Sequence, residues 1–360
     1  MAKRSDDLDT IKDIRVEDGL GGLLTWINKA STIRKGPGIG EIDIGYFANV
    51  IRISQDVGIA LSTDGVGSKV ILAQMLDRYD TIGIDCIAMN VNDVLCVGAE
   101  PISFLDCISV EDIDSIRLGE IGEGLYCGAK QANVNIVGGE IAQMPDTVKG
   151  FSQGTGIDIV GTCIGILNPN DINIGQDVKE GDALIGIRSS GLHSNGFTLA
   201  RKILFSDSNQ ALNHTFDKGL SLGDVLLEPT VIYTDVVKAL KVNQVDVKAY
   251  SNITGSGLFN IVRIQSMCGY IIESFPEIPS IFSSIQELGQ LSFAEMFRVF
   301  NMGIGFTVTV SAQDKERVIE IIQGENMEAY YLGHAFFDNK KRIFMKPYGL
   351  CGENGQFGLT

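Results

Sequence analysis

Ser62-Thr-Asp-Gly-Val-Gly-Ser-Lys69 follows directly on the alternating apolar run Val57-Gly-Ile-Ala-Leu61. An extended segment that ends in a carboxylate, turns through two glycines and runs on into Lys69-Val-Ile-Leu-Ala-Gln-Met-Leu76 reads as strand, tight turn, helix. The turn gathers backbone N–H groups, the Asp64 carboxylate and the Lys69 ammonium within a few residues. That is equipment for a metal-bound polyphosphate. Asp-Gly turns are common, so the stretch gains its weight from what surrounds it.

Outward from this point, strands and helices alternate. The patterning predicts strands at Val57–Ser62, Ile102–Ser109, Val134–Gly138 and Ile157–Leu167, and helices at Lys69–Leu76, Thr81–Val97 and Ile113–Gln131. In Thr81–Val97, apolar residues at 84, 87, 88, 91, 94 and 95 mark one helical face. Asn168-Pro-Asn170 is a turn signal and the expected domain boundary. The alternation then restarts with strands at Ala183–Ile187, Val245–Ala249, Tyr270–Ile272, Ile304–Val310, 329–336 and 342–345. Helices are expected from Phe197 to Leu204, Thr230 to Leu240, Phe293 to Phe300 and Lys315 to Ile322. The pattern is α+β, with α/β alternation in two domains of similar size. Residues 1–55 read as a polar, glycine-rich extension, 56–168 as the first domain, 169–347 as the second, and 348–360 as a flexible tail.

Of the 360 residues, 44% are hydrophobic and 21% charged, so there is enough apolar surface for real cores. The net charge of −16 repels nucleic-acid phosphates and anionic lipid, which excludes both as partners. A phosphorylated small substrate remains compatible, provided a metal ion, Lys and Arg side chains or helix N-termini meet its charge. Seven widely spaced cysteines without a C-x-x-C pair read as reduced, buried core thiols of a cytoplasmic protein. Cys107, inside an apolar run, is typical of them. No apolar run is long enough to span a membrane, and the charged start lacks the apolar core of a secretory signal.

Three carboxylates stand out. Asp64 ends a strand, Asp93 lies on a largely apolar helix between amides (Asn90, Asn92), and Glu140 follows Gly138-Gly139 at a strand end. A carboxylate in apolar company is costly unless paired, and Mg²⁺ would pair it. Taken singly, an exposed helix acid or a turn carboxylate explains each equally well; their shared setting favours a site. Gly191-Leu-His-Ser-Asn-Gly196 precedes a helix and offers free N–H groups and His193 to a phosphate oxyanion, or is simply an N-cap turn. Asn252-Ile-Thr-Gly-Ser-Gly257 has the same form and the same two readings. Lys35-Gly-Pro-Gly-Ile-Gly40 lacks the context of a dinucleotide fingerprint or a P-loop, and is a plain linker or a loop that closes over phosphates. Asp106 and Asp158 lie within apolar strands, as backbone partners or facing the site.

Several segments occur in a specific order: Asp64-Gly-Val-Gly-Ser-Lys69, Asp80 to Asp93, Gly98-Ala-Glu-Pro101, Val137-Gly-Gly-Glu140 with Met144-Pro145, Ser189 to Gly196, and Phe300-Asn-Met-Gly-Ile-Gly305. Together they resemble the phosphoribosylformylglycinamidine cyclo-ligase (aminoimidazole ribonucleotide synthetase) family from about residue 35 to 345. The Lys35–Gly40 loop is similar to the archaeal form. The resemblance implies an ATP- and Mg²⁺-dependent ring closure of formylglycinamidine ribonucleotide in purine biosynthesis. It implies that Asp64, Asp93 and Glu140 hold Mg²⁺ and that Lys69 contacts ATP phosphate. Gly36, Gly38, Gly40, Gly65, Gly67, Ser68, Asn92 and Gly139 would join them around ATP. His193, Ser194, Asn195, Gly196, Thr254 and Gly255 would hold substrate, with His193 and Asn252 also in the catalytic group. It further implies a homodimer in which the amino-terminal sheets join into one barrel, and a carboxy-terminal α/β sandwich domain.

The chain departs from the family where Ala-His-Ile-Thr-Gly-Gly-Gly is common: it reads Ser251-Asn-Ile-Thr-Gly-Ser-Gly257. Asn252 can donate a hydrogen bond but carries no proton near neutral pH. The rival readings are another ATP-dependent enzyme of the superfamily and a non-catalytic nucleotide-binding homologue. The superfamily rivals are formylglycinamidine ribonucleotide synthetase, selenophosphate synthetase, thiamine monophosphate kinase and the hydrogenase maturation dehydratase. The chain is short for the first, and lacks the reactive cysteines expected of the second and the last. Leu192-His-Ser-Asn-Gly196 speaks against the kinase.

Overall fold

The computed structural model describes residues 20–205 and 212–360. The first domain contains helix α1 (20–30), strands β1 (Ile39–Gly40), β2 (Asn49–Arg52) and β3 (Gly58–Gly65), and helices α2 (Lys69–Leu76) and α3 (Ile82–Cys96). It continues with β4 (Glu100–Val110), α4 (Ser115–Ala132), β5 (Asn135–Gln143) and β6 (Ile157–Leu167). The strands form one sheet in the order β1-β2-β3-β6-β4-β5, antiparallel except for the β4–β5 pair. β1 and β2 therefore belong to the domain's sheet, although residues 1–55 read as an extension. Two-residue β1 and four-residue β2 are too short to leave a periodic signal.

The second domain begins with β7 (Ala183–Arg188), α5 (Phe197–Leu204), β8 (Thr215–Asp217), β9 (Leu220–Ser221), α6 (Leu222–Leu227) and α7 (Thr234–Val242). β10 (Val247–Asn252), β11 (Cys268–Ile272), α8 (Ser280–Gly289), α9 (Phe293–Val299) and β12 (Ile304–Val310) follow. It ends with α10 (Lys315–Gly324), β13 (Ala329–Phe337), β14 (Ile343–Met345), β15 (Leu350–Glu353) and β16 (Gln356–Leu359). Eight strands make one mixed sheet, β10-β12-β7-β13-β11-β14-β15-β16.

The expected flexible tail is in fact the β15–β16 hairpin at the edge of this sheet. Its two-residue turn, Asn354-Gly355, has positive φ at both positions, as tight hairpins require. The Phe357 ring lies 4.5 Å from that of Phe259 and anchors the hairpin. Few apolar residues are needed when ladder bonds and the contacts of one aromatic ring hold a segment.

α3 positions the site. The sequence pattern predicts a single apolar face, yet thirteen of its fifteen residues are buried. One side packs on α4 and the first sheet, and another on β10 and α7 of the second domain. The helix is the shared wall of two domains: Asp85, Asn92 and Asp93 have partners across the boundary, while Asn90 donates to the Asp64 and Cys86 carbonyls of its own domain.

The cysteines divide. Cys86, Cys96, Cys163 and Cys268 are buried, whereas Cys107 is exposed, against expectation. It pairs in register with Val160 on the outer face of the first sheet, which no other described element covers. Among the described residues no helix is long and apolar enough to cross a membrane.

Candidate active site

β3 delivers Asp64 to the domain boundary, where its Oδ1 accepts the N–H of Gly65 at 2.8 Å. Burial raises the pKa of Asp64. Val66 is fully buried and plugs the turn into the core, while Gly67, at φ 69°, turns the chain into α2. Ser68 at the start of α2 makes no side-chain cap, and neither does Gly196 at the start of α5. Neither helix has an acidic residue in its first turn. These two N-termini come from different domains and meet, with Ser68 Oγ 2.9 Å from Thr198 Oγ1. The Arg201 guanidinium lies over the junction, 3.5 Å from the Ser68 carbonyl. Two helix dipoles and a cation make a place for phosphate. Sequence reasoning missed Arg201 because the charge sits on the helix of one domain and the turn it serves is in the other.

Lys69 does not reach this place. It is 0% exposed, and its Nζ lies 2.8 Å from Asp85 Oδ2 and donates to the Glu228 carbonyl at 2.7 Å. Burial lowers its pKa and the Asp85 carboxylate opposes that. Asp85 Oδ1 in turn accepts the N–H and Oγ1–H of Thr230, each at 2.7 Å, and Thr230 Oγ1 lies 2.9 Å from Ser194 Oγ. Lys69 and Ser194 are thus ends of a buried chain that ties α2, α3 and the second domain together. Asn92 does similar work. It donates to the Val231 carbonyl and accepts from the Tyr233 N–H, and is fully buried.

His193 is 2% exposed and its backbone is left-handed, at φ 59°. Its Nε2 accepts the Ser190 N–H at 3.3 Å, and its ring packs against Gly305, where any Cβ would collide with His193 and Tyr233. Burial, and secondarily the Lys69 charge, push its pKa down to about 3. It is buried and neutral here, turned towards Ser190, Gly305 and Tyr233. Asn195 and Gly196 are the more open part of that loop: Asn195 Nδ2 points to the Met89 sulfur at 4.0 Å, and its Oδ1 lies 3.4 Å from where a Cβ on Gly255 would stand. The 193–196 loop and the Thr254-Gly255 turn therefore adjoin.

Asp93 meets Asn252. Asn252 Nδ2 donates to Asp93 Oδ1 at 2.8 Å across the domain boundary. Desolvation pushes the Asp93 pKa up to about 7; the Asn252 bond opposes this and the nearby Asp64 charge adds to it. Asn252, where the family resemblance leads one to expect a histidine, is thus the direct partner of a candidate metal ligand.

Glu140 does not join Asp64 and Asp93. In register it pairs with Cys107, on the outer face of the sheet. Asp64 and Asp106 both pair with Gly161, on the face that packs against α3. Asp106 pairs also with Gly139, and a Cβ at Gly139 would collide with the Asp106 carboxylate. Gly139 thus makes room for Asp106, whose pKa is raised by burial. Among the described residues no group of three or more His, Cys, Asp or Glu can hold a metal ion. A three-carboxylate cage does not fit. Mg²⁺ bound through one or two carboxylates plus substrate phosphates does fit Asp64 and Asp93, whose charges interact.

Gly36, Gly38 and Gly40 also lie apart. Gly38 donates to the Arg52 carbonyl, and Gly40 pairs with Ile51. Arg52 pairs with Gly58, at the opposite end of β3 from Asp64, which is about 20 Å at the rise of an extended chain.

Two family models match the chain, AIR synthase related protein, N-terminal domain over residues 45–167 and its C-terminal domain over 179–346. A protein of Methanococcus maripaludis strain C6 named phosphoribosylformylglycinamidine cyclo-ligase is 43% identical over 80% of both chains. One of the same name from Methanocaldococcus jannaschii is 45% identical over 80% of this chain and 81% of its own. Among solved structures, the HypE–HypF complex matches at TM-score 0.60 and 20% identity, covering 86% of this chain and 92% of that one. Thiamine-monophosphate kinase from Stenotrophomonas maltophilia K279a matches at 0.60 and 15%, covering 88% and 94%. At such identities these structures speak for the fold alone. Two matched domains and relatives above 40% identity establish that this chain belongs to the AIR synthase related family, among archaeal-type cyclo-ligases.

Proposed function

We propose that the protein is an ATP-dependent cyclo-ligase that converts formylglycinamidine ribonucleotide to aminoimidazole ribonucleotide in purine biosynthesis. The observation that carries this reading is the 43% identity over 80% of the chain to relatives named for that ligase. ATP phosphorylates the amide oxygen, the amidine nitrogen attacks the activated carbon, and phosphate leaves as the imidazole closes. Little covalent chemistry falls to the protein, so position and charge dominate. The N-termini of α2 and α5 with Arg201 receive ATP phosphates. Asp64 and Asp93 would hold Mg²⁺, which would supply charge neutralisation for the phosphates. Asn252 orients Asp93. Asn195, Thr254 and Gly255 line the substrate side, and the buried Lys69–Asp85–Thr230–Ser194 chain holds the two halves of the site in register.

The active form is a homodimer. The outer face of the first sheet carries Ile59, Leu61, Ile164 and Ile166, none of them buried, and a second copy would cover them. Closure of two such sheets into a barrel would also place Cys107 and Glu140 in an interface.

The test is phosphate release from Mg-ATP with and without formylglycinamidine ribonucleotide, with imidazole product followed in parallel. Release that requires the ribonucleotide and matches product formation is expected. Bound ATP with neither product would overturn the reading in favour of a nucleotide-binding homologue.

A further inference from the structure

The substrate of the proposed reaction carries a phosphate of its own, and His193, on sequence its expected partner, is buried and neutral. A cavity of about 630 Å³ opens beside Gly255 and Ser256 in the second domain. Such a volume lies in the range of small-molecule sites. Three of its lining residues are cations, Arg298, Lys340 and Lys341, and none is acidic. Glu353 pairs with Lys340, 3.0 Å from its Nζ.

Lys341 is built in, and Lys340 is the more exposed of the two. Lys341 takes a left-handed backbone at φ 51°, and its Nζ donates to the Ile264 carbonyl. An ammonium has three donors, so one tether leaves two for a ligand. Phe259 supplies an apolar wall. The remaining wall is Asn354-Gly355-Gln356, the turn of the β15–β16 hairpin. That hairpin lies beyond residue 346, where the family match ends, so this wall is outside the part the family model describes.

We infer that this cavity binds a phosphate group, and that in the working enzyme it receives the phosphate end of the ribonucleotide substrate, with the carboxy-terminal hairpin as one wall. The second half of the inference rests on the proposed function; the first does not. Contiguity carries the argument. Gly255 lines the cavity and also abuts Asn195, so a ligand anchored on the lysines can extend over the Thr254-Gly255 turn towards Asp93. ATP phosphates are drawn instead to the α2 and α5 N-termini, across the domain boundary.

The experiment pairs wild type with the K340Q/K341Q double variant in the full-length protein. Inorganic phosphate binding is measured by calorimetry, and KM for ribonucleotide and for ATP by steady-state kinetics. Phosphate should bind wild type and bind the variant at least tenfold more weakly. KM for the ribonucleotide should rise ~10- to 100-fold, with KM for ATP within about twofold. A K340R/K341R variant should recover most of both losses, which separates charge from misfolding. Equal phosphate binding by wild type and K340Q/K341Q overturns the anion site. A rise in KM for ATP in place of the ribonucleotide overturns the substrate assignment. Should wild type prove inactive on the ribonucleotide, the proposed function fails, and the phosphate titration still decides the cavity.

Discussion

Asp93 and Asn252 show how one side chain sets the chemistry of another. A neutral amide stabilises a carboxylate less than a cation would, so burial prevails and the Asp93 pKa rises to about 7. The unfolded value is near 3.9, so the native state binds the extra proton. The stability this gives is full below pH 4 and is lost as pH rises through about 7. Asp93→Asn removes the titration and keeps an acceptor for Asn252. It should stabilise the apo protein at pH 8 by on the order of 1–3 kcal/mol, with the gain vanishing towards pH 4; urea unfolding at several pH values measures this. A pH-independent gain would mean that Asp93 does not titrate as described. Asn252→Ala leaves Asp93 without its partner and should lower kcat/KM about 10- to 100-fold, roughly 1.4–2.7 kcal/mol of transition-state stabilisation. The acidic limb of the pH–rate profile should move to higher pH as well.

At the scale of elements, α3 is the organising piece. Its polar residues read from sequence as a solvent or ligand face, but the second domain covers them. Lys69 and Asp85 form a buried pair with side chains 0% exposed. Lys69→Met leaves Asp85 buried without its cation and should cost about 3–5 kcal/mol of stability, read by chemical denaturation. Were Lys69 an ATP ligand, the variant would instead lose nucleotide affinity at unchanged stability. The strand–turn–helix around Asp64 was legible because its information is local: alternation, an Asp-Gly turn and an apolar helix within twenty residues. The partners of Asn92 and Asn252, and the Glu228 carbonyl that Lys69 reaches, were not legible, because each lies in the other domain. Glu140 failed for a different reason. A β-strand alternates faces, and which face meets α3 is settled by pairing register with β4, not by the composition of Gly138-Gly-Glu140.

For the molecule as a whole, one contiguous core runs through both domains, and the site sits on the boundary. The uncovered sheet face makes an oligomer the expected solution state. Light scattering should give twice the 38.9 kDa chain mass. Ile164→Asp, on that outer face, should yield monomers that stay folded. A wild-type monomer at micromolar concentration would remove the barrel from the proposal.

Local pattern alone determined the alternation of strands and helices, the turn at Asn168, the family and the chemistry its motifs imply, because turn chemistry and hydrophobic period are written within a few residues. Tertiary structure decided which motif residues are buried and which meet at the domain boundary. Lys69, Asn92, His193 and Ser194 became staples because the second domain closes over α3 and denies them solvent. Arg201, Asp106 and the carboxy-terminal hairpin gained positions beside the site or its cavity because packing brought distant segments together. A side chain's role here follows from what desolvates it and what pairs with it, and those neighbours lie far away in sequence.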